Sequence, residues 1–170
     1  REDETPRAEE LEAIEGIDNE NRDVFAVVGP VGSGKSTVAE MIEDEHGEEV
    51  VVFEMSDFVR GQYVAEHKRD PESDHELGKW AANQKAENGS GYFARQLAEL
   101  VHTDTAPHIV ISGVRSPEEA RAIKNEFGHV TTVAVWTLPD IRFERKYGAI
   151  PSEDHPNWDE FDERNESELW

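Results

Sequence analysis

Cysteine is absent from the 170-residue sequence, which excludes disulfide bonds and thiolate metal sites. The seven histidines are not spaced like zinc ligands. No apolar run approaches the ~18 residues of a membrane-spanning helix, and no secretory leader is recognisable. These absences predict a cytoplasmic protein without a membrane partner.

Positive charge is scarce as well, because 17 lysine and arginine residues stand against 39 acidic ones and the formal net charge is -22. Such a surface repels nucleic acid, so no nucleic-acid partner is expected. Acidic residues recur in every predicted helix, which favours adaptation to high salt, where a Debye length of ~3 Å at 1 M screens self-repulsion. An acidic interaction surface is the alternative interpretation, although such surfaces usually gather in one tail.

The apolar pattern predicts one domain at 23–170, preceded by an acidic arm at 1–22. Predicted strands at 24–28, 50–53, 109–111 and 130–136 alternate with predicted helices at 37–46, 56–67, 75–88, 92–102, 117–127, 140–147 and 158–169. This alternation predicts an α/β fold of three layers, a parallel sheet with helices on both faces. Ligands of such sheets bind at the carboxyl ends of the strands, so the candidate residues should lie in the loops that follow them.

The segment 29–36, Gly-Pro-Val-Gly-Ser-Gly-Lys-Ser, matches the phosphate-binding pattern G-x-x-x-x-G-K-[ST] between a predicted strand and a predicted helix. Its backbone N–H groups and the helix N-terminus favour a phosphate chain. Lys35 is predicted to reach the β- and γ-phosphates of ATP, and the Ser36 hydroxyl to bind Mg²⁺. The predicted nucleotide-binding residues are Gly29, Pro30, Val31, Gly32, Ser33, Gly34, Lys35, Ser36 and Thr37. The alternative is a glycine turn that binds nothing.

Loops after the next two strands carry candidates for binding a phosphate acceptor. Asp57 is suited to accept a proton from an acceptor hydroxyl or to hold a Mg²⁺-bound water, unless it only caps a helix. Arg60, one turn later, is suited to clamp an acceptor phosphate, unless it is a solvated helix residue. Gly91 opens a helix that carries Arg95, and together they form a second candidate anion site. Arg115 points into the cleft or pairs with acids of the next helix.

A short helix after the fourth predicted strand carries Arg142, Arg145 and Lys146. Arg142 and Arg145 are three residues apart and are predicted to share a face. A lid helix of this kind can close over the oxygens of a transferring phosphoryl group and exclude water. The alternative is that these arginines only balance charge in a very acidic protein.

These segments together resemble an archaeal P-loop kinase-like family related to dephospho-CoA kinase and adenylate kinase, and the sequence looks like a haloarchaeal member. The resemblance runs from about Val24 to the end of the chain. It rests on the phosphate loop and on the segments 56–60, 77–81, 89–95, 111–116, 142–145 and 158–164. It implies a P-loop NTPase fold of nucleoside monophosphate kinase type, with a helical acceptor-binding insert at about 57–102 and a lid at about 142–157.

The resemblance also implies ATP as donor, Mg²⁺, and a nucleotide or dephospho-CoA-like acceptor. Lys35, Asp57, Arg142 and Arg145 would then be catalytic, and Ser36 and Asp57 would serve the metal. The chain departs from this family where it has Ser112 in place of an aspartate, and where the lid segment 147–151 is uncharged. A nucleotide-binding regulatory or partner subunit with weak or no turnover is therefore the alternative function. The oligomeric state is not predicted.

Overall fold

A parallel sheet organises the part of the chain that the structure describes, which is residues 22–168 of a computed structural model. Its strands are β1 (Asp23–Val28), β2 (Val50–Glu54), β3 (His108–Val114) and β4 (Val130–Ala134). They lie in the order β2-β3-β1-β4, and every neighbouring pair is parallel. The acidic arm predicted at 1–22 lies outside the described residues, apart from Arg22.

Helices occupy the connections between the strands and continue after β4. They are α1 (Lys35–His46), α2 (Met55–His67), α3 (Asp74–Asn88), α4 (Tyr92–Val101), α5 (Pro117–Phe127), α6 (Pro139–Tyr147) and α7 (Trp158–Glu168). Three of them, α2, α3 and α4, lie between β2 and β3. Within residues 22–168, no helix is long and apolar enough to cross a membrane.

Alternate strand residues face opposite sides of the sheet and divide the core into two layers. On one side Ile109 and Ile111 pack with side chains of α2, α4 and α5. On the other side Val27 and Val110 pack with Ala39 of α1. The predicted three-layer α/β arrangement is therefore confirmed, with α1 on one face of the sheet and α2, α4 and α5 on the other.

Local signals set the helix starts that matter for the site. Ser116 and Glu119 form a capping box at the start of α5, since each side chain accepts a hydrogen bond from the other residue's backbone N–H. The predicted strand 130–136 is two residues too long, since β4 ends at Ala134, although the N–H of Val135 still donates a 2.8 Å hydrogen bond to the carbonyl of Val28. The Thr137 hydroxyl then donates a 2.8 Å hydrogen bond to the carbonyl of Ser33, which directs this segment across the phosphate loop.

Candidate functional site

The phosphate loop lies between β1 and α1 in a conformation that only glycine permits at key positions. Gly29 has φ +151°, and a Cβ there would lie 2.3 Å from the carbonyl oxygen of Val135. Gly32 has φ +74°, and its Cβ would lie 3.2 Å from the carbonyl oxygen of Arg142. The phosphate loop therefore lies in close contact with two segments that follow β4. Glycine is required at both positions because a side chain would collide with these segments and because the backbone has a positive φ.

Lys35 is only 7% exposed and folds across its own loop. Its Nζ donates a 2.8 Å hydrogen bond to the carbonyl of Pro30. Ser36 and Thr37, by contrast, are exposed in the first turn of α1 and line a cavity of about 790 Å³ beside the loop. The loop, the lysine and the hydroxyls thus adjoin one space large enough for a nucleotide, which we term the donor cavity.

The donor cavity also takes side chains from three other loops. Glu54 and Ser56 come from the end of β2 and the start of α2, and Arg115 from the end of β3. Arg145 and Lys146 come from α6. The Arg145 Nη1 donates a 3.2 Å hydrogen bond to the carbonyl of Gly32, so this cation lies directly at the phosphate loop.

A second cavity of about 400 Å³ adjoins the first and is termed the acceptor cavity. Asp57, Arg60 and Arg115 line it, as predicted for residues that follow neighbouring strands. Lys146 and Arg115 line both cavities. A ligand in one cavity would therefore share these two cations with a ligand in the other.

The acceptor cavity has an apolar wall and an ion pair whose carboxylate is buried. Leu77, Ala81 and Phe93 provide apolar surface. Glu119 is only 2% exposed; its Oε1 pairs with Lys85, and its Oε2 accepts hydrogen bonds from the N–H groups of Arg115, at 2.9 Å, and Ser116, at 3.3 Å. One buried carboxylate thus fixes the loop that presents Arg115.

Arg142 does not share the exposed face of α6 with Arg145, so that prediction is wrong. It is fully buried and donates hydrogen bonds to the carbonyls of Thr137, at 3.1 Å, and Val31, at 3.2 Å, and to Asn165 Oδ1 of α7. Three residues turn about 300° around a helix, so the two side chains diverge by about 60°. Because α6 is wedged between the phosphate loop and α7, this angle sends one arginine inward and leaves the other at the cavity rim.

Archaeal proteins are similar to this chain over most of its length. A UPF0200 protein of Pyrococcus furiosus is 32% identical over 155 residues, which cover 86% of this chain and 78% of the relative. A UPF0200 protein of Hyperthermus butylicus is 30% identical over 149 residues, which cover 88% of this chain and 77% of the relative. This chain belongs to the UPF0200 family. The predicted resemblance to an archaeal P-loop family is thus confirmed at family level, while the relation to dephospho-CoA kinase stays a prediction.

No family model matches the sequence of this UPF0200 chain. Among solved structures, a gluconokinase from Sinorhizobium meliloti aligns with TM-score 0.49 and 16% identity, over 86% of this chain and 74% of the gluconokinase. A DNA replication initiation factor aligns with TM-score 0.39 and 15% identity, over 92% of this chain and 57% of that protein. Since both scores are below 0.5, the α/β P-loop NTPase fold rests on the sheet order and the phosphate loop of the chain itself.

Ser36 and Asp57, predicted together for the metal, lie on different cavities of the UPF0200 chain. Ser36 lines the donor cavity and Asp57 the acceptor cavity. Asp57 is not a helix cap either, because α2 begins at Met55 after Glu54 and no side chain caps it. Asp57 therefore lies with Arg60 at the acceptor cavity, and the catalytic and metal roles predicted for it stay predictions.

Gly91 and Arg95 do not line the acceptor cavity, and the second anion site predicted at these residues stays a prediction. They line a separate cavity of about 310 Å³ beside α5. The Arg95 Nη2 donates a 2.9 Å hydrogen bond to the carbonyl of Asn88, and a Cβ on Gly91 would lie 3.0 Å from the guanidinium. Arg95 therefore lies against the turn between α3 and α4.

Two cavity residues, Glu54 and Lys146, were not assigned to the site from sequence. In the sequence, Glu54 is a polar residue that follows an apolar run, and Lys146 is one of three cations on a short predicted helix. Neither pattern by itself indicates a binding site. Ser36 and Glu54 both line the donor cavity, and a hydroxyl and a carboxylate are groups that would suit Mg²⁺ bound together with substrate phosphates. Among residues 22–168, no group of three histidine, aspartate or glutamate side chains forms a protein-only metal site.

Proposed function

We propose that this protein is an ATP- and Mg²⁺-dependent phosphotransferase of nucleoside monophosphate kinase type, acting on a nucleotide or dephospho-CoA-like small acceptor. The observation that carries the proposal is the pair of adjoining cavities. One contains the phosphate loop, the other contains Asp57 and Arg60, and Arg115 and Lys146 line both. This arrangement suits transfer of a phosphoryl group between two bound molecules with water excluded.

Residues of the donor cavity would have three roles. Lys35 would exchange its hydrogen bond with Pro30 for one with the β- and γ-phosphates, which supplies a charge-assisted contact. Ser36 would hold Mg²⁺, which supplies neutralisation of phosphate charge when bound. Arg145 at Gly32, and Lys146 between the cavities, would stabilise the charge of the transferring group.

The acceptor side positions an attacking oxygen. Arg60 and Arg115 would bind an acceptor phosphate, and the apolar wall at Leu77, Ala81 and Phe93 would cover the rest of the molecule. In the reaction the bond from Pγ to the ADP oxygen breaks and a bond from Pγ to the acceptor oxygen forms. If that oxygen is a hydroxyl, Asp57 accepts its proton.

A nucleotide-binding regulatory subunit is the second candidate. Two observations favour it: Ser112 is fully buried where an aspartate was expected, and Arg142 is occupied by backbone carbonyls rather than facing the cavity. Both reduce the number of charged groups available for turnover. The segment 147–151 adds no charge to the lid.

A transfer screen in molar KCl separates the two candidates. The purified chain is incubated with ATP and Mg²⁺ and with nucleoside monophosphates or dephospho-CoA, and acceptor-dependent ADP release is measured. The phosphotransferase predicts ADP release with at least one acceptor, abolished in Lys35→Ala and retained in the exposed control Lys124→Ala. Tight ATP binding without transfer to any acceptor would reject the enzyme and favour the regulatory subunit. We further propose, from the acidic composition, that the protein works in the cytoplasm of a salt-adapted archaeon.

A further inference from the structure

Glu54 ends β2 directly beside Ser112 of β3. The two residues are register partners in the parallel pair β2–β3. Val50 of β2 and Val110 of β3 belong to the core layer that contains Ala39 of α1. Residues two or four positions along a strand point to the same side. Glu54 and Ser112 therefore both face the layer that contains α1 and the phosphate loop.

Ser112 places a hydroxyl, rather than a carboxylate, at the end of β3. Its side chain is fully buried, and its Oγ has no hydrogen-bond partner among the described residues. The carboxylate of Glu54 extends over this strand end, since a Cβ on Gly113 would lie 2.6 Å from Glu54 Oε1. A glutamate is one methylene longer than an aspartate, which helps it to span the strand spacing of ~4.8 Å from β2 to β3.

The carboxylate of Glu54 also lies on the donor cavity, which contains the phosphate loop. It lines the donor cavity together with Lys35 and Ser36, and Ser56 Oγ donates a 3.4 Å hydrogen bond to its Oε1. Among the described residues that line this cavity, Glu54 is the one carboxylate. Asp57, the other acid near the end of β2, lines the acceptor cavity.

We propose that Glu54 is the positioning residue for Mg²⁺ in this chain and supplies from β2 the carboxylate that β3 lacks. This inference rests on the proposed function, because it requires a nucleotide on the phosphate loop. Ser36 would hold the ion together with the nucleotide phosphates, and Glu54 would orient it through a hydrogen-bonded water.

Calorimetry in molar KCl tests the assignment without relying on turnover. A non-hydrolysable ATP analogue is titrated into wild type, Glu54→Gln and Glu40→Gln, each in Mg²⁺ and in EDTA. Glu40 is exposed on α1, so its substitution removes the same charge from the same face of the sheet outside both cavities. Glu54→Asp is included as a second variant that keeps the charge but shortens the side chain.

Wild type and Glu40→Gln should bind the analogue about tenfold or more tightly in Mg²⁺ than in EDTA. Glu54→Gln should keep the affinity in EDTA and lose most of the gain from Mg²⁺, and Glu54→Asp should lose part of it. A full Mg²⁺ gain in Glu54→Gln, or no gain in wild type, would overturn the assignment while leaving nucleotide binding intact. A wild type that binds no analogue in either buffer would overturn the proposed function and this inference with it.

Discussion

The Nη1 of Arg142 donates a 3.2 Å hydrogen bond to the carbonyl of Val31, a residue 111 positions earlier in the chain. The same guanidinium bonds Thr137 and Asn165, and lies 5.5 Å from the centre of the Phe161 ring. One buried arginine therefore joins the phosphate loop, α6 and α7. Its role is to position the loop, and the charge at the cavity rim comes from Arg145 and Lys146.

Replacing Arg142 should destabilise the fold more than replacing an exposed arginine. Arg142→Met leaves the carbonyls of Thr137 and Val31 and the amide of Asn165 without this donor, at a cost of about 3 kcal/mol or more. The control Arg121→Met removes a 68% exposed side chain paired with Glu118, and should cost about 0.5 kcal/mol or less. Chemical denaturation at one KCl concentration measures the free energy of unfolding of both variants. Equal decreases in the two variants would contradict a structural role for Arg142.

The packing of α2 on α3 should weaken in acid. Glu76 accepts hydrogen bonds from Arg69, from Tyr63 Oη at 2.6 Å and from the N–H of Glu72, and these contacts, Arg69 first, lower its pKa from 4.5 to about 2. Because the pKa is lower in the folded state, the stabilisation is present above about pH 4.5 and is lost as the pH falls towards 2.

Glu76→Gln should accordingly lower the thermal midpoint at pH 7 and have less effect at pH 3. Glu87→Gln, an exposed acid on the same helix, serves as the control and should change neither value. Thermal midpoints measured by circular dichroism at pH 7 and at pH 3 test this prediction. A Glu76→Gln effect that is equally large at pH 3 would show that the contact does not depend on ionisation.

Salt should stabilise this protein strongly. A net charge of -22 produces self-repulsion that is screened when the Debye length falls from ~10 Å at 0.1 M to ~3 Å at 1 M. The thermal midpoint in 2 M KCl should therefore exceed that in ~50 mM KCl, where the Debye length is longer still. A midpoint that stays flat or falls would reject salt adaptation and favour the acidic interaction surface.

Replacing Ser112 with aspartate should destabilise the fold as long as Glu54 is present. Ser112→Asp would bury a second carboxylate beside Glu54 at a cost of about 2 kcal/mol, or roughly 6 °C in midpoint. In the Glu54→Gln background the same substitution should cost less, because the like charge is gone. Thermal melts of the two single variants and the double variant form the cycle, and additive losses would show that the two positions do not interact.

Sequence patterns were sufficient for the parts of the fold that depend on local chemistry. The phosphate loop is defined by glycines and a lysine at fixed spacing, and the start of α5 by the Ser116 and Glu119 capping box. Neighbouring parallel strands end at one sheet edge, which brought Asp57, Arg60 and Arg115 to the same cavity. These features require no knowledge of how distant segments pack.

The misassigned residues depend on tertiary packing. Whether Arg142 or Lys146 reaches the cavity is decided by the rotation of α6 against the phosphate loop, and a three-residue spacing leaves that rotation open. Gly91 and Arg95 lie at the start of a helix as predicted, but on the side of it that faces α5, whereas Phe93 of the same helix lines the acceptor cavity. The importance of Glu54 emerges only when the strand order places β2 beside β3.

Nucleotide binding by the phosphate loop underlies every role proposed for this chain, and one calorimetric titration tests it. ATP with Mg²⁺ is titrated in molar KCl into wild type, Lys35→Ala and Lys124→Ala, the last being exposed on α5. Loss of the charge-assisted contact should cost about 1.5–3 kcal/mol, so Lys35→Ala should bind roughly 10- to 150-fold more weakly while Lys124→Ala matches wild type. Equal ATP affinity in Lys35→Ala and wild type would contradict the phosphate-loop assignment.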